Sequence, residues 1–179
     1  MRVITGFAGG RLLKSPAGED VRPTADHVKE ALFNILQFDL EGRRVLDLFA
    51  GSGQLGIEAL SRGAREAVFT DSSRDSVTLV RDNLKRCGFR AAVLQTDALT
   101  YLERGEKFDI IFIDPPYDAG LYKPVLERIN AVDNLNEGGI MICESRAKEV
   151  LPELLPPYRM LRRRRYGSMA LTFYTRSSE

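Results

Sequence analysis

The 179-residue chain is poor in the residues that metal and redox chemistry use. It has two cysteines, Cys87 and Cys143, far apart and without CxxC spacing. That excludes a disulfide framework, leaves no expected metal site, and suits a reducing cytoplasm. It has one histidine, His27. An exposed helix position is the plain reading of His27, and no acid for hydride transfer is evident. Excess charge is also missing: the formal net charge is +1, so a polyanion site must come from local clustering. No apolar run reaches the ~20 residues of a membrane span. Met1 to Gly6 lacks the apolar stretch of a signal peptide. A cytoplasmic protein without membrane contact is therefore expected. What is present, 44% hydrophobic and 28% charged residues, is the balance of a globular chain rather than a disordered one. The length suits one domain with a sizeable core.

Residues 1–24 are rich in Gly, Arg and Lys. Val3-Ile4 reads as a short strand, with Arg11-Leu12-Leu13-Lys14 as a hairpin partner. Arg22-Pro23-Thr24 reads as a loop closing into a helix that Asp26 caps. Val28, Ala31, Leu32, Ile35 and Leu36 follow at helical spacing, and Gly42 ends the segment. From Arg43 strands and helices alternate. Strands are expected at 45–49, 67–71, 92–97, 108–113 and 139–144, and helices at 55–61, 75–86, 98–104, 122–132 and 149–154. That series predicts an α/β fold with a parallel twisted sheet and helices on both faces. Residues 158–166 and 169–175 read as two further strands joined at Gly167-Ser168. So close a pair must be antiparallel. The expected organisation is a single domain over 1–179, with a basic extension over 1–40 packed on a catalytic core over 43–179.

Two stretches carry chemistry. In Asp47-Leu48-Phe49-Ala50-Gly51-Ser52-Gly53-Gln54-Leu55-Gly56, glycines at a strand-to-helix turn let backbone approach a ligand, and the helix start offers N–H groups. Gly51, Gly53 and Gly56 match GxGxxG, a pattern that also suits a dinucleotide. Asp71 lies ~20 residues past the first glycine, where an acid meets ribose hydroxyls. Asp71 and Ser72 also have the composition of a helix cap. Asp97, followed by Ala98, ends the third strand and can accept from an adenine amino group or cap a helix.

The second stretch is Asp114-Pro115-Pro116-Tyr117, after the strand at 108–113. The prolines cannot extend a sheet ladder, so the strand stops in a stiff turn. The Asp114 carboxylate and the Pro115 carbonyl are adjacent acceptors for the two N–H groups of an exocyclic amine. Tyr117 offers a face for stacking a base.

These residues resemble class I S-adenosylmethionine-dependent methyltransferases that modify exocyclic amines. More closely, the chain resembles the RsmD-type 16S ribosomal RNA guanine-N2 methyltransferase family. The likeness is carried by Arg22-Pro23-Thr24, Glu30 to Leu36, Asp47 to Gly53, Gly56 to Ala64, Asp114 to Tyr117 and the Tyr166-Gly167 hairpin. His27 departs from it where an arginine is expected. The resemblance implies a Rossmann-like seven-stranded sheet with a C-terminal antiparallel hairpin. It implies S-adenosylmethionine contacts at Asp47, Phe49, Ala50, Gly51, Ser52, Gly53, Asp71, Ser72, Asp97, Ala98 and Asp114. Asp114, Pro115 and Tyr117 are the implied catalytic residues, with no metal. Pro116 and Tyr117 would hold the flipped base. Arg2, Arg11, Arg22 and Thr24 would meet 16S rRNA or the small ribosomal subunit, with a monomeric enzyme. Lys14 and Arg162 to Arg165 add to the basic groups, though alternate strand residues share a face, so Arg162 and Arg164 cannot easily act with Arg163 and Arg165. Three rival readings use some of the same residues. An N6-adenine methyltransferase shares the Asp-Pro-Pro-Tyr turn. A nicotinamide-dependent dehydrogenase shares the glycines and Asp71 but leaves Asp114 to Tyr117 unexplained. A non-catalytic binding module has no use for an intact Asp-Pro-Pro-Tyr.

Overall fold

The computed structural model describes residues 1–16 and 23–177. The elements are α1 (Pro23–Ile35), β1 (Arg44–Asp47), α2 (Gln54–Ser61), β2 (Glu66–Asp71), α3 (Arg74–Cys87), β3 (Ala92–Gln95), α4 (Ala98–Leu102), β4 (Phe108–Ile113), α5 (Tyr122–Val132), β5 (Leu135–Arg146), β6 (Tyr158–Tyr166) and β7 (Met169–Arg176). The seven strands form one sheet in the order β3-β2-β1-β4-β5-β7-β6. β1 to β5 pair in parallel, and β7 runs antiparallel between β5 and β6. This is the expected α/β sheet with its C-terminal antiparallel hairpin.

Alternation along the strands divides the core. Ile110 and Phe112 of β4 join Val28, Leu32 and Phe33 of α1, Leu55 and Ile57 of α2 and Val80 of α3 in one cluster. Ile111 and Ile113 join Tyr101 and Leu102 of α4 and Val125, Leu126 and Ile129 of α5 in the other. A strand buried on both faces reads as a continuous apolar run, as β4 does. Phe33 meets Phe112 with ring centroids 5.8 Å apart, which seats α1 on the middle of the sheet.

Three local expectations are corrected. α1 starts at Pro23, so Asp26 lies in its first turn rather than at its cap. Proline suits the first helical position because its missing N–H would be unpaired there anyway. The hairpin near the start does form, though it is short: Arg2 bridges Leu12 antiparallel, Val3 N–H donates to Arg11 O and Leu13 N–H to Met1 O at 3.0 Å, and Gly10 N–H donates to Val3 O at 2.9 Å. No helix forms at 149–154. Pro152 interrupts that stretch, and a helix so short is marginal without strong packing. Side chains take its carbonyls instead. Arg163 donates to Ala147 and Glu149 O at 3.1 and 2.8 Å, and the Tyr174 hydroxyl donates to Pro152 O at 2.8 Å. β5 is also longer than the sequence suggests, beginning at Leu135 and ending at Arg146.

The N-terminal residues lie along α2, and one buried carboxylate holds them there. Glu58 has no exposed surface. It accepts from the Ile4 and Thr5 N–H groups at 2.7 and 3.2 Å and from Arg62 Nε at 2.8 Å. Ser61, one turn on, accepts from Ala8 N–H at 2.9 Å and donates to Thr5 O at 2.5 Å. Lys29 of α1 is buried and donates to Arg2 O at 2.7 Å. Burial lowers the Lys29 pKa, against the pull of Glu58. Glu58→Ala strands two amide donors and a guanidinium, so it should cost about 3 kcal/mol in urea unfolding. Hydrogen exchange at the Ile4 and Thr5 amides should accelerate in the same variant.

Candidate active site at the carboxyl edge of the sheet

Parallel pairing brings four strand ends to one edge. β1 ends in Asp47, β2 in Asp71, β3 runs out two residues before Asp97, and β4 stops one residue before Asp114. The order of strands reverses between β1 and β4, where α2 and α5 depart to opposite faces. Such a switch point opens a crevice, and ligands of open α/β sheets bind there.

The glycine turn fills one side of the crevice. Gly51 and Gly53 have φ of 54° and 78°, a left-handed backbone that glycine adopts without steric cost. No atom lies within 4 Å of where a Gly51 Cβ would stand, so the turn faces open space. Gly56 meets the opposite constraint. A Cβ there would lie 2.3 Å from the Phe69 ring, so only glycine lets α2 pack this closely on β2.

Carboxylates brace the turn. Asp47 is buried and accepts from Gly56 N–H at 2.9 Å. Burial pushes its carboxyl up to about 7, against the Gly56 hydrogen bond and with the Asp71 charge adding to the rise. Asp71 accepts from Gly51 N–H at 2.9 Å with one oxygen and from Ser73 N–H at 2.8 Å with the other. Each oxygen keeps a lone pair for a ligand hydroxyl. The cap of α3 is Ser73, which accepts from Ser76 N–H, and Ser72 is exposed beside it. Asp97 caps α4, one oxygen accepting from Thr100 N–H at 2.9 Å. That bonding to Thr100 keeps the Asp97 carboxyl below its usual range. Phe49 is half-buried, and Ala50 and Ala98 are buried at the floor of the edge. Ser52 turns inward: its hydroxyl meets Met1 Sδ at 3.4 Å and its carbonyl accepts from Asn83 at 2.9 Å. Asn83 also exchanges hydrogen bonds with the Lys14 backbone, tying the N-terminal segment to the turn.

The Asp-Pro-Pro-Tyr turn fills the other side. Asp114 is half-buried, Pro115 buried, Pro116 exposed and Tyr117 42% exposed. The Asp114 charge, after burial, helps hold the Tyr122 hydroxyl and the Cys143 thiol protonated. Tyr122 donates to Glu144 O at 2.8 Å, fastening the start of α5 to β5 beside the turn. The Arg146 guanidinium stands 4.9 Å over the Tyr117 ring and pairs with Asp118 at 2.8 Å. Tyr117 OH lies 3.5 Å from Met169 Sδ, and Met169 pairs with Arg146 across β5 and β7. Arg146 thus props the ring that sequence reasoning singled out. It went unnoticed because it falls beyond the predicted end of the fifth strand.

The basic residues divide. Arg2 is exposed. Arg11 donates to Arg86 O at 2.5 Å and Lys14 pairs with Asp82 at 2.6 Å, so both serve to dock the N-terminal segment on α3. Arg22 and the side chain of Thr24 lie outside the described residues. His27 is exposed on α1, as expected. On β6, Arg162 lies 4.8 Å over the Phe173 ring on one face, and Arg163 reaches the Ala147 and Glu149 carbonyls on the other. Among the described residues no His/Cys/Asp/Glu group fits a metal ion, and no helix is long and apolar enough to cross a membrane.

The raised Asp47 pKa gives a test of the brace. Its neutral form favours the fold fully below the unfolded carboxyl range of ~4, and that benefit fades as pH climbs to about 7. Asp47→Asn keeps an acceptor for Gly56 and has no charge to bury. Its stability relative to the parent protein should rise by about 1–3 kcal/mol between pH 5 and pH 8, read from parallel urea melts.

The family model described as conserved hypothetical protein 95 matches residues 1–175. The Bacillus subtilis protein YlbH is 41% identical over 180 residues, 97% of this chain and 98% of that one. The Escherichia coli protein named ribosomal RNA small subunit methyltransferase D is 32% identical over 181 residues, 100% of this chain and 91% of that one. The solved structure of yhhF from Escherichia coli superposes with a TM-score of 0.87 at 31% identity, covering 100% and 99% of the two chains. A Thermus thermophilus 16S rRNA N2 methyltransferase, solved with AdoMet and guanosine, superposes at 0.71 with 25% identity, over 94% of this chain and 46% of that one. By its sheet, its two edge motifs and a match that runs nearly end to end, the chain belongs to the conserved hypothetical protein 95 family, the RsmD-type small-subunit rRNA methyltransferases.

Proposed function

We propose that the protein transfers a methyl group from S-adenosylmethionine to the exocyclic N2 of a guanine in 16S rRNA. The observation that carries this reading is the Asp114–Tyr117 turn, set across the switch point from an open glycine turn. Support comes from the relative named for small-subunit rRNA methylation and from the similar structure holding AdoMet and guanosine.

The residues present fit the cofactor. Gly51 leaves room for a ligand against the backbone, and Asp71 retains an acceptor on each oxygen for ribose hydroxyls. Asp97 has one oxygen beyond its cap bond to accept from an adenine amino group. Asp47 works from beneath, holding the turn, rather than at the ligand surface. The bound sulfonium supplies an electrophilic methyl group, so the chain's own task is positioning.

Asp114 and the Pro115 carbonyl accept the two N–H groups of the amine. This aims its lone pair and keeps it electron-rich. Tyr117, braced by Arg146, stacks on the base once it has left its neighbours, a step costing a few kcal/mol. The amine becomes acidic as the new bond forms, so Asp114 or water can take the proton. Residues 1–40 act as the lobe that meets RNA, with Arg2, Arg22 and Thr24 as its substrate contacts. Arg11 serves docking more than contact. The protein works as a monomer in the cytoplasm.

Asp114→Ala should lower kcat at least ~10³-fold while S-adenosylmethionine affinity, by calorimetry, changes less than ~3-fold. Near-normal turnover in that variant would refute the mechanism. Nucleoside mass mapping of 16S rRNA from cells lacking the protein should show loss of one N2-methylguanosine. Loss of N6-methyladenosine instead overturns the choice of base.

A further inference from the structure

The Asp-Pro-Pro-Tyr turn selects an amine and does not distinguish guanine from adenine. A second carboxyl stands beside it. The β4–β5 register pairs Ile113 with Cys143, so one residue further on Asp114 stands next to Glu144. The influence of Asp114 on Cys143 is consistent with that placement. Cys143 belongs to the core cluster under α5 and Ile142 to the cluster under α1. Glu144 therefore projects on the α1 side, as does its cross-strand partner Leu171. Arg146 follows on the same face, with the Tyr117 ring beneath it. Glu144 is thus bracketed by the amine acceptor at one end and the stacking ring at the other. The Tyr122 hydroxyl holds its backbone carbonyl, which fixes where the side chain starts. Glu144 is half-buried, and no hydrogen bond or ion pair from a described residue reaches its carboxyl. Burial accordingly pushes it up to about 7. Nothing in the methyl-transfer steps above employs it.

The Watson–Crick edge supplies a partner. Next to the reacting amine, guanine carries N1–H, a donor, whereas adenine carries a bare N1, an acceptor. A carboxylate beside Asp114 accepts from the first and repels the second. We infer that Glu144 reads N1 of the target base, accepting N1–H and so admitting guanine over adenine. This rests on the guanine-N2 reading above and adds the residue that chooses the base. A site built to hydrogen-bond a donor rejects the analogue lacking it far more strongly than an apolar pocket rejects a missing methylene.

The test uses small ribosomal subunits carrying either guanine or 2-aminopurine at the nucleotide that the parent enzyme methylates. 2-Aminopurine keeps the reacting amine and has no N1–H. The parent enzyme should prefer guanine by ~10²-fold in kcat/KM. Glu144→Gln, whose amide can present either an oxygen or an NH₂ to N1, should narrow that preference below ~10-fold. The loss of O6 in 2-aminopurine affects both enzymes alike, so the change in ratio reports on N1. An unchanged ratio in Glu144→Gln, including equal loss on both bases, overturns the assignment. So does a parent enzyme indifferent to the two bases. Melting temperature and calorimetric S-adenosylmethionine binding show that the variant is folded. If the parent enzyme forms no N2-methylguanosine on the guanine subunits, it is the guanine-N2 reading that fails.

Discussion

The close approach of α2 to β2 is the constraint on which the rest depends. Gly56 sits so near the Phe69 ring that a methyl group would overlap it. Because the helix can settle there, Gly56 N–H reaches the buried Asp47 carboxyl and the glycine turn is held from below. The same seating aims Glu58 and Ser61, on the next turns, at the N-terminal residues. One helix of eight residues therefore carries the glycine turn at its start and the N-terminal residues at its end. Its hydrogen bonds to Thr5 and Ala8 fasten the short hairpin of the first residues to the core.

Charge is spent in a way that composition hides. Lys29 and Arg62 serve buried or half-buried contacts, and Arg11 and Lys14 fasten the N-terminal segment to α3. On β6, Arg162 packs on Phe173 while Arg163 takes loop carbonyls. Arginines along this edge strand also discourage pairing with another sheet. A count of cations near a site therefore overstates those facing a polyanion. A long side chain that finds a carbonyl or ring within reach satisfies its donors there first.

Much of the fold was legible because its signals are local. The apolar run 108–113 can only be buried on both faces, and a tight link at Gly167-Ser168 permits only an antiparallel pair. Pro152 was a local sign against the helix expected at 149–154. What overruled that helix was Arg163 and Tyr174, donors from distant strands that no window of sequence contains. Arg146 was missed for a related reason. The fifth strand extends to it because β7 pairs through Arg146 with Met169, and that partner lies far along the chain.

The residue order alone settled the two edge motifs, their place after strands, and the chemistry that two adjacent acceptors and a ring can perform on an amine. Those properties belong to contiguous side chains and survive any packing that keeps the strand and its turn. The roles of Asp47 as a hidden brace, of Arg146 as the support for Tyr117, and of Glu144 as the neighbour of Asp114 came from elsewhere. Each depends on burial or on the register of strands joined by whole helices, and register is set by the packing of both core clusters at once.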